Sequence, residues 1–346
     1  MNSDIVLWLV QDGITNGAIY GLLALGLLLV FAVTRIIFIP QGEFISYAAM
    51  SLALLQDGKL PGTVFVLVAG GTVAAVFDIV LALREKALSR LPRIVALYLV
   101  LPLAIAAITW WAAPRKLDLW LQVLIVLGLV VPLGPILYRV AYQPLANASV
   151  LVLFIISMAA HYILTGLGLV FFGGDGIRSA LFSEAKFQWG VLNITAQSLW
   201  VVFASLVLMA GLWAFFERSI YGKALRATAV NRIGARLVGI PTDLAGSMSL
   251  LLAAFIGAVS GILISPITTI YYDTGFLIGL KGFVGAILGG MASYPLAVLG
   301  AVGVGLLESF SSFWASNMKE AIVFTIIIPV LVWRSLASRQ VEEEEE

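Results

Sequence analysis

Eleven predominantly apolar runs leave little chain between them: about 5–33, 39–55, 62–83, 94–113, 119–138, 148–172, 194–216, 244–270, 276–293, 295–314 and 320–336. A helix needs about 20 mostly apolar residues to cross a bilayer, and most of these runs reach that length. The second and ninth are short and read as re-entrant or broken helices, which leaves eight to eleven spanning elements. Only 11% of the 346 residues are charged, against about 25% in soluble domains. A soluble fold of this chain would have to expose a large apolar surface. The expected fold is therefore all-α and integral to a membrane, with one transmembrane domain over 1–340. The acidic block at 341–346 is set aside as either a native tail or an expression remnant.

Other compositional features narrow the chemistry. The 33 glycines suit close helix packing in lipid, where small residues let backbones approach. With no cysteine there is no disulfide, thiol catalysis or cysteine metal site. One histidine, His161, cannot build a zinc site alone, and no metal is expected. A net charge of +1 gives no reason to expect a nucleic-acid partner. The first positive charge is Arg35, so the start lacks the basic n-region of a cleaved signal peptide.

Orientation follows from Lys and Arg beside the spans. Eleven spans threaded with 217–243 inside place thirteen basic residues on the cytoplasmic side: Arg35, Arg84, Lys86, Arg90, Arg93, Arg139, Arg218, Lys223, Arg226, Arg232, Arg236, Arg334 and Arg339. Six fall outside: Lys59, Arg115, Lys116, Arg178, Lys186 and Lys319. The expected topology is N-terminus outside, C-terminus cytoplasmic. Topology alone explains the basic charge of 217–243 but not its length. Within it "GKALRATAVNRIGARLVGIP" reads as one helix, with Leu225, Ala229, Ile233 and Leu237 recurring every four residues and Gly239 and Pro241 as stop signals. Such a helix suits a protein groove or the inner leaflet.

Charged residues inside spans are functional candidates by default. Glu43 opens the short second run and is either a pathway or gate residue or a carboxylate paired with Arg35. Lys281 and Glu308 lie 13 and 14 residues on either side of Tyr294, which together with Pro295 marks a hairpin turn. At 1.5 Å per residue both sit about 20 Å from that turn. Equal depth on antiparallel neighbours predicts an ion pair, with contact to a solute as the alternative. Asp78 is expected to snorkel or pair locally, and His161 to be a hydrogen-bonded packing residue. Gly282, Gly285, Gly289 and Gly290 read as a helix-packing face, and "FFGGDGIRSA" (171–180) as an outer loop.

Three blocks resemble one family. The pattern A-x-x-x-N-x-x-x-A-x-L-x-G-I before "FIGAVSGILISP" is similar to the cytoplasmic coupling element of ABC importer permeases. "NGAIYGLLALGLLLVFAVTRIIFIPQGEF" and "GLKGFVGAILGGMASYPLAVLGAVGVGLLESFSS" resemble the first span with its Gly-Glu turn, and the Gly-rich hairpin, of the branched-chain amino acid permeases. The resemblance implies a non-enzymatic permease subunit in the bacterial inner membrane. It would pair with a second permease, identical or homologous, and be fed by an extracytoplasmic solute-binding protein. Two cytoplasmic ATPase subunits would drive it and hold the ATP and Mg²⁺. It also makes Lys223, Arg226, Asn231, Arg232, Arg236 and Gly239 candidates for ATPase coupling, and Gln41 a pathway candidate beside Glu43. Gln41 departs from the family, whose turn commonly has His there; Gln keeps hydrogen-bonding capacity but does not titrate near neutrality. The chain has no G-x-x-x-x-G-K-[ST], so it carries no phosphate-binding loop of that type. The solute expected is a branched-chain or other amino acid, with urea, short amides or sugars as alternatives. The rival reading is an ion-gradient-driven transporter using Glu43, Glu308 and Asp78.

Overall fold

The computed structural model describes residues 3–189, 192–291 and 293–332. Among the described residues, eight helices are long and apolar enough to cross a membrane. They are α1 (Ser3–Thr34), α3 (Thr63–Arg84), α4 (Leu88–Arg115), α5 (Leu119–Leu145), α6 (Val150–Phe172), α7 (Ala196–Arg218), α10 (Thr242–Ile264) and α12 (Tyr294–Trp314). Between them lie the short helices α2 (Gln41–Gln56), α8 (Ile220–Val230), α9 (Arg232–Leu237) and α11 (Thr274–Leu288), and α13 (Lys319–Thr325) follows α12. A two-stranded antiparallel hairpin, β1 (Lys186–Trp189) and β2 (Leu192–Thr195), precedes α7. The acidic block 341–346, Arg334 and Arg339 lie outside the described residues.

The second and ninth runs do form short helices. At 1.5 Å per residue the 16 residues of α2 span about 24 Å, less than the roughly 30 Å hydrocarbon core. This helix is tolerated because it is sheathed in protein: every residue from Gln41 to Ala53 is buried. Its polar side chains therefore meet other side chains rather than lipid. The run 244–270 is shorter than its hydropathy suggests. Its helix stops at Ile264, before Pro266 disfavours helical geometry, and Ile270 then pairs with Ile177 as an isolated bridge. The expected outer loop 171–180 is thereby tied down, with Arg178 Nε donating to the Pro266 carbonyl at 2.8 Å.

Two compact units divide the chain. Residues 29–184 and 210–277 form one of them, organised around α10. Gly257 and Gly261, four apart on α10, face α2; a β-carbon at Gly257 would lie 3.0 Å from Phe44 Cβ, and one at Gly261 would run into the Ile45 carbonyl. On α5, Gly134 abuts Leu250 of α10 in the same way. Lipid tails give no hydrophobic drive between helices, so this close small-residue packing supplies the adhesion. Replacing Gly261 with Ala is expected to lower apparent stability by about 1–3 kcal/mol. Gly211→Ala, with no atom within 4 Å of the new methyl, should be near neutral. Thermal unfolding of the two variants in mild detergent checks this, and equal midpoints would contradict it.

The other unit comprises 1–28, 185–209 and 278–346. Gly13 and Gly17 of α1 meet Leu306 and Val302 of α12, and Gly305 meets Gly13 and Gly17 in return. Gly282 abuts Leu23, Gly285 abuts Ala301, and Gly289 abuts the Ala297 backbone. Gly290 does not share that face. It follows α11 with φ +78, a left-handed turn position that suits glycine and bends the chain toward α12.

Candidate functional site

The Gly282 face of α11 positions a buried charged cluster. Lys281 Nζ donates to Glu308 Oε1 at 2.5 Å and to Glu320 Oε1 of α13 at 3.1 Å. Tyr20 of α1 donates its hydroxyl to Glu308 Oε2 at 2.5 Å. The Lys281 and Glu308 side chains are only 6% and 10% exposed, so neither charge is left to water. The hairpin register therefore places the two residues in contact. Tyr20 and Glu320 carry no sequence signal for joining them, since each needs a tertiary neighbour outside the hairpin.

A second cluster is built where α2, α6 and α11 meet. Gly42 has no β-carbon, which lets the backbone at Gly275 and Phe276 approach α2. Ser46 Oγ accepts from the Gly275 N–H at 2.8 Å and fixes that approach. Phe276 then stacks on the His161 imidazole at 4.3 Å between centroids. His161 Nδ1 lies 2.6 Å from Glu43 Oε1, and Thr165 Oγ1, one turn further along α6, lies 3.4 Å from the same nitrogen. Pairing of Glu43 with Arg35 does not occur. Arg35 takes φ +61 and turns its guanidinium toward the Phe31 ring, 5.9 Å away. Glu43 Oε2 is buried without a hydrogen-bond partner among the described residues. Gln41 is fully buried two residues before it.

Asp78 pairs across helices rather than locally. Arg139 donates from Nε at 2.5 Å, and its guanidinium lies 5.5 Å from the Phe77 ring. Arg139 leaves from a π-helical turn, Tyr138–Tyr142, a local irregularity that sequence periodicity does not reveal.

The basic inter-span segment departs from one helix. At Asn231 the backbone becomes extended (φ −149, ψ 100), separating α8 from α9, and Asn231 Oδ1 caps α9 by accepting from Gly234 N–H at 2.8 Å. Asn is a preferred capping residue, and that was the local signal for the break. The change of direction dissolves the four-residue ridge. Leu225 is 2% exposed, packed with Leu29, Val33, Ala245 and the partly buried Phe215 and Phe216, whereas Ile233 and Leu237 are 76% and 82% exposed. Most of the polar candidates brace the segment, either within itself or against a neighbouring element. Arg232 donates to the Ala146 carbonyl at 2.9 Å, Arg236 to Thr242 Oγ1 at 3.1 Å, and Arg226 pairs with Glu217 at 2.9 Å. Gly239 closes α9 at φ +87. What points outward is Lys223, without an ion pair among the described residues, and the strongly exposed Ile220, Val230, Ile233, Leu237 and Val238.

Among the described residues, eight apolar helices, buried charges held in pairs and a braced, apolar-surfaced segment between spans define a multi-pass membrane protein. The chain belongs to the family described as the permease component of the branched-chain amino acid transport system, whose model matches residues 9–331. It is similar to the high-affinity branched-chain amino acid transport system permease protein LivH of Escherichia coli, with 26% identity over 336 residues, 93% of this chain and 91% of that protein. It is also similar to BraD of Pseudomonas aeruginosa, at 29% over 207 residues, 57% of this chain and 66% of BraD. A probable LivH of Methanocaldococcus jannaschii is 29% identical over 203 residues, 57% of this chain and 64% of that one.

Proposed function

We propose that this chain is the membrane-spanning subunit of an ATP-driven importer for branched-chain amino acids, oriented N-terminus outside and C-terminus cytoplasmic. It works beside a second permease, identical or related, and takes solute from an extracytoplasmic binding protein. Two cytoplasmic ATPase subunits bind the ATP and Mg²⁺, and this chain performs no covalent chemistry. The observation that carries the reading is the segment 219–239. It is anchored through Leu225 and Arg232, yet exposes Ile233, Leu237, Val238 and Lys223 outward. An ATPase groove is the partner that would bury such a surface and pull on the spans through the anchors. The solute assignment rests on the names that the similar permeases carry.

The rival, gradient-driven reading asks Glu43, Glu308 or Asp78 to carry an ion. Each of these carboxylates already faces a basic side chain within the fold: His161, Lys281 and Arg139. Uptake in proteoliposomes holding the permeases, the ATPases and the binding protein separates the two. The expected result is leucine uptake that requires ATP and survives a protonophore. Uptake that ignores ATP and collapses with the protonophore would sink the ATP-driven reading.

Orientation has its own test, made simple by the absence of native cysteine. In intact cells Lys116→Cys should react with an impermeant maleimide and Lys223→Cys should not. The reverse pattern would invert the topology.

A further inference from the structure

The end of the molecule that carries Arg115 and Lys116 holds a feature with no role in the reading above. A groove of roughly 660 Å³ runs where the start of α3 meets the last turns of α4. Its walls are Val64, Leu103, Ala106, Trp110, Trp111 and Pro114, and Arg115 completes the lining. Arg115 is not loose there: its guanidinium lies 4.1 Å from the Trp111 ring centroid and donates to the Trp111 carbonyl. Lys116 follows in a left-handed conformation (φ +44) that closes the helix, and its stem lies beside Gly58. Neither Arg115 nor Lys116 has a carboxylate within 4.0 Å among the described residues, and Lys59 alone in this loop pair is matched, by Asp57 at 3.3 Å. Asp118, exposed two residues on, forms no ion pair with either.

Three observations converge on the occupant. Trp110, Trp111 and Trp120 are all strongly exposed at this end, and exposed tryptophans on spanning helices mark the headgroup level of a bilayer. The groove that Trp110 and Trp111 help to line is apolar and lies on helices whose exposed faces must meet acyl chains. Two adjacent cations without counter-charges stand, on the orientation proposed above, on the side where basic residues are otherwise sparse. Positive-inside bias gives no reason to place them there, whereas a phosphate does. We propose that this groove holds one anionic phospholipid, with an acyl chain along Leu103, Ala106 and Trp110 and its phosphate bridged by Arg115 and Lys116. Arg115 supplies a planar guanidinium already oriented by Trp111, and Lys116 a mobile point charge.

Native mass spectrometry of the full chain in mild detergent tests this, titrating dioleoyl phosphatidylglycerol against dioleoyl phosphatidylcholine. Each basic group at a membrane surface is worth about a fivefold preference for the anionic lipid, so wild type should prefer phosphatidylglycerol by roughly twentyfold or more. Arg115→Gln/Lys116→Gln should bring the two lipids to parity. Both residues are exposed, so this variant should keep the wild-type thermal midpoint. Trp110→Ala should weaken retention of both lipids while keeping the preference. Glycerol phosphate added in excess should not displace the lipid, because the chain contributes to binding. Equal binding of both lipids to wild type would overturn the proposal, as would displacement by glycerol phosphate alone. So would a Trp110→Ala variant that changes oligomeric mass and leaves lipid binding untouched, since the groove would then be a seam between protein copies.

Discussion

Lys281→Met is expected to be among the most damaging single substitutions in this protein, lowering apparent stability by about 3–5 kcal/mol. The reason is what it leaves behind. Glu308 would keep the Tyr20 hydroxyl at 2.5 Å but lose the only cation that touches it among the described residues, at a site where its side chain is 10% exposed. A second carboxylate, Glu320, loses the same partner. Glu308→Gln should be milder, because its amide oxygen can still accept from Lys281, its NH2 can donate to the Tyr20 hydroxyl, and Glu320 still faces the ammonium. The double variant Lys281→Met/Glu308→Met should recover part of the loss, since replacing both members of a buried pair by apolar groups is often near neutral, although the Tyr20 hydroxyl then loses its acceptor. Midpoints of thermal unfolding in detergent read all three. If Lys281→Met and the double variant melt together, the pair is not what holds α11, α12 and α13 in place.

The Glu43–His161 pair gives the second large effect and a way to separate structure from gating. His161→Leu strands a carboxylate that is 1% exposed and already has one oxygen without a partner. The expected loss is again about 3–5 kcal/mol, reduced to the extent that Glu43 takes up a proton. Glu43→Gln should cost about 1 kcal/mol, because its amide oxygen still reaches His161 Nδ1. Uptake assays add the discriminating arm. If Glu43→Leu/His161→Leu restores both stability and uptake, the pair serves packing of α2 on α6 alone. If stability returns while uptake stays below about a tenth of wild type, a ΔΔG of roughly 1.4 kcal/mol or more on the transport cycle belongs to these groups.

The parts of this account that the sequence made legible are those governed by local pattern. Apolar run length gave the spanning helices, and the shortness of the second and ninth runs, read as re-entrant or broken helices, set α2 and α11 apart from the full-length spans. Equal spacing about Tyr294 placed Lys281 opposite Glu308, because a hairpin converts residue count into depth. The misses share one cause. Glu43 and His161 are 118 positions apart and Tyr20 and Glu308 are 288 apart, and no periodicity connects residues on non-consecutive helices. Asp78 found Arg139 rather than a local partner for the same reason. The break at Asn231 is different. Its cap chemistry was visible in the sequence, but the regular four-residue spacing of apolar residues outweighed it. The hairpin 186–195 was hidden because strands of four residues are too short to show alternation.

On the proposed function, the segment 219–239 is the surface through which an ATPase drives this permease. The most direct measurement is a pull-down of the detergent-solubilised protein from its native host, comparing wild type with Lys223→Glu/Ile233→Glu/Leu237→Glu. All three side chains are exposed, so the variant should keep its thermal midpoint. ATPase subunits are expected to co-purify with wild type and to be reduced at least tenfold in the variant, since introduced charges in a buried contact cost more than about 1.4 kcal/mol. An ATPase retained equally by both would contradict it and move the coupling surface elsewhere on the chain.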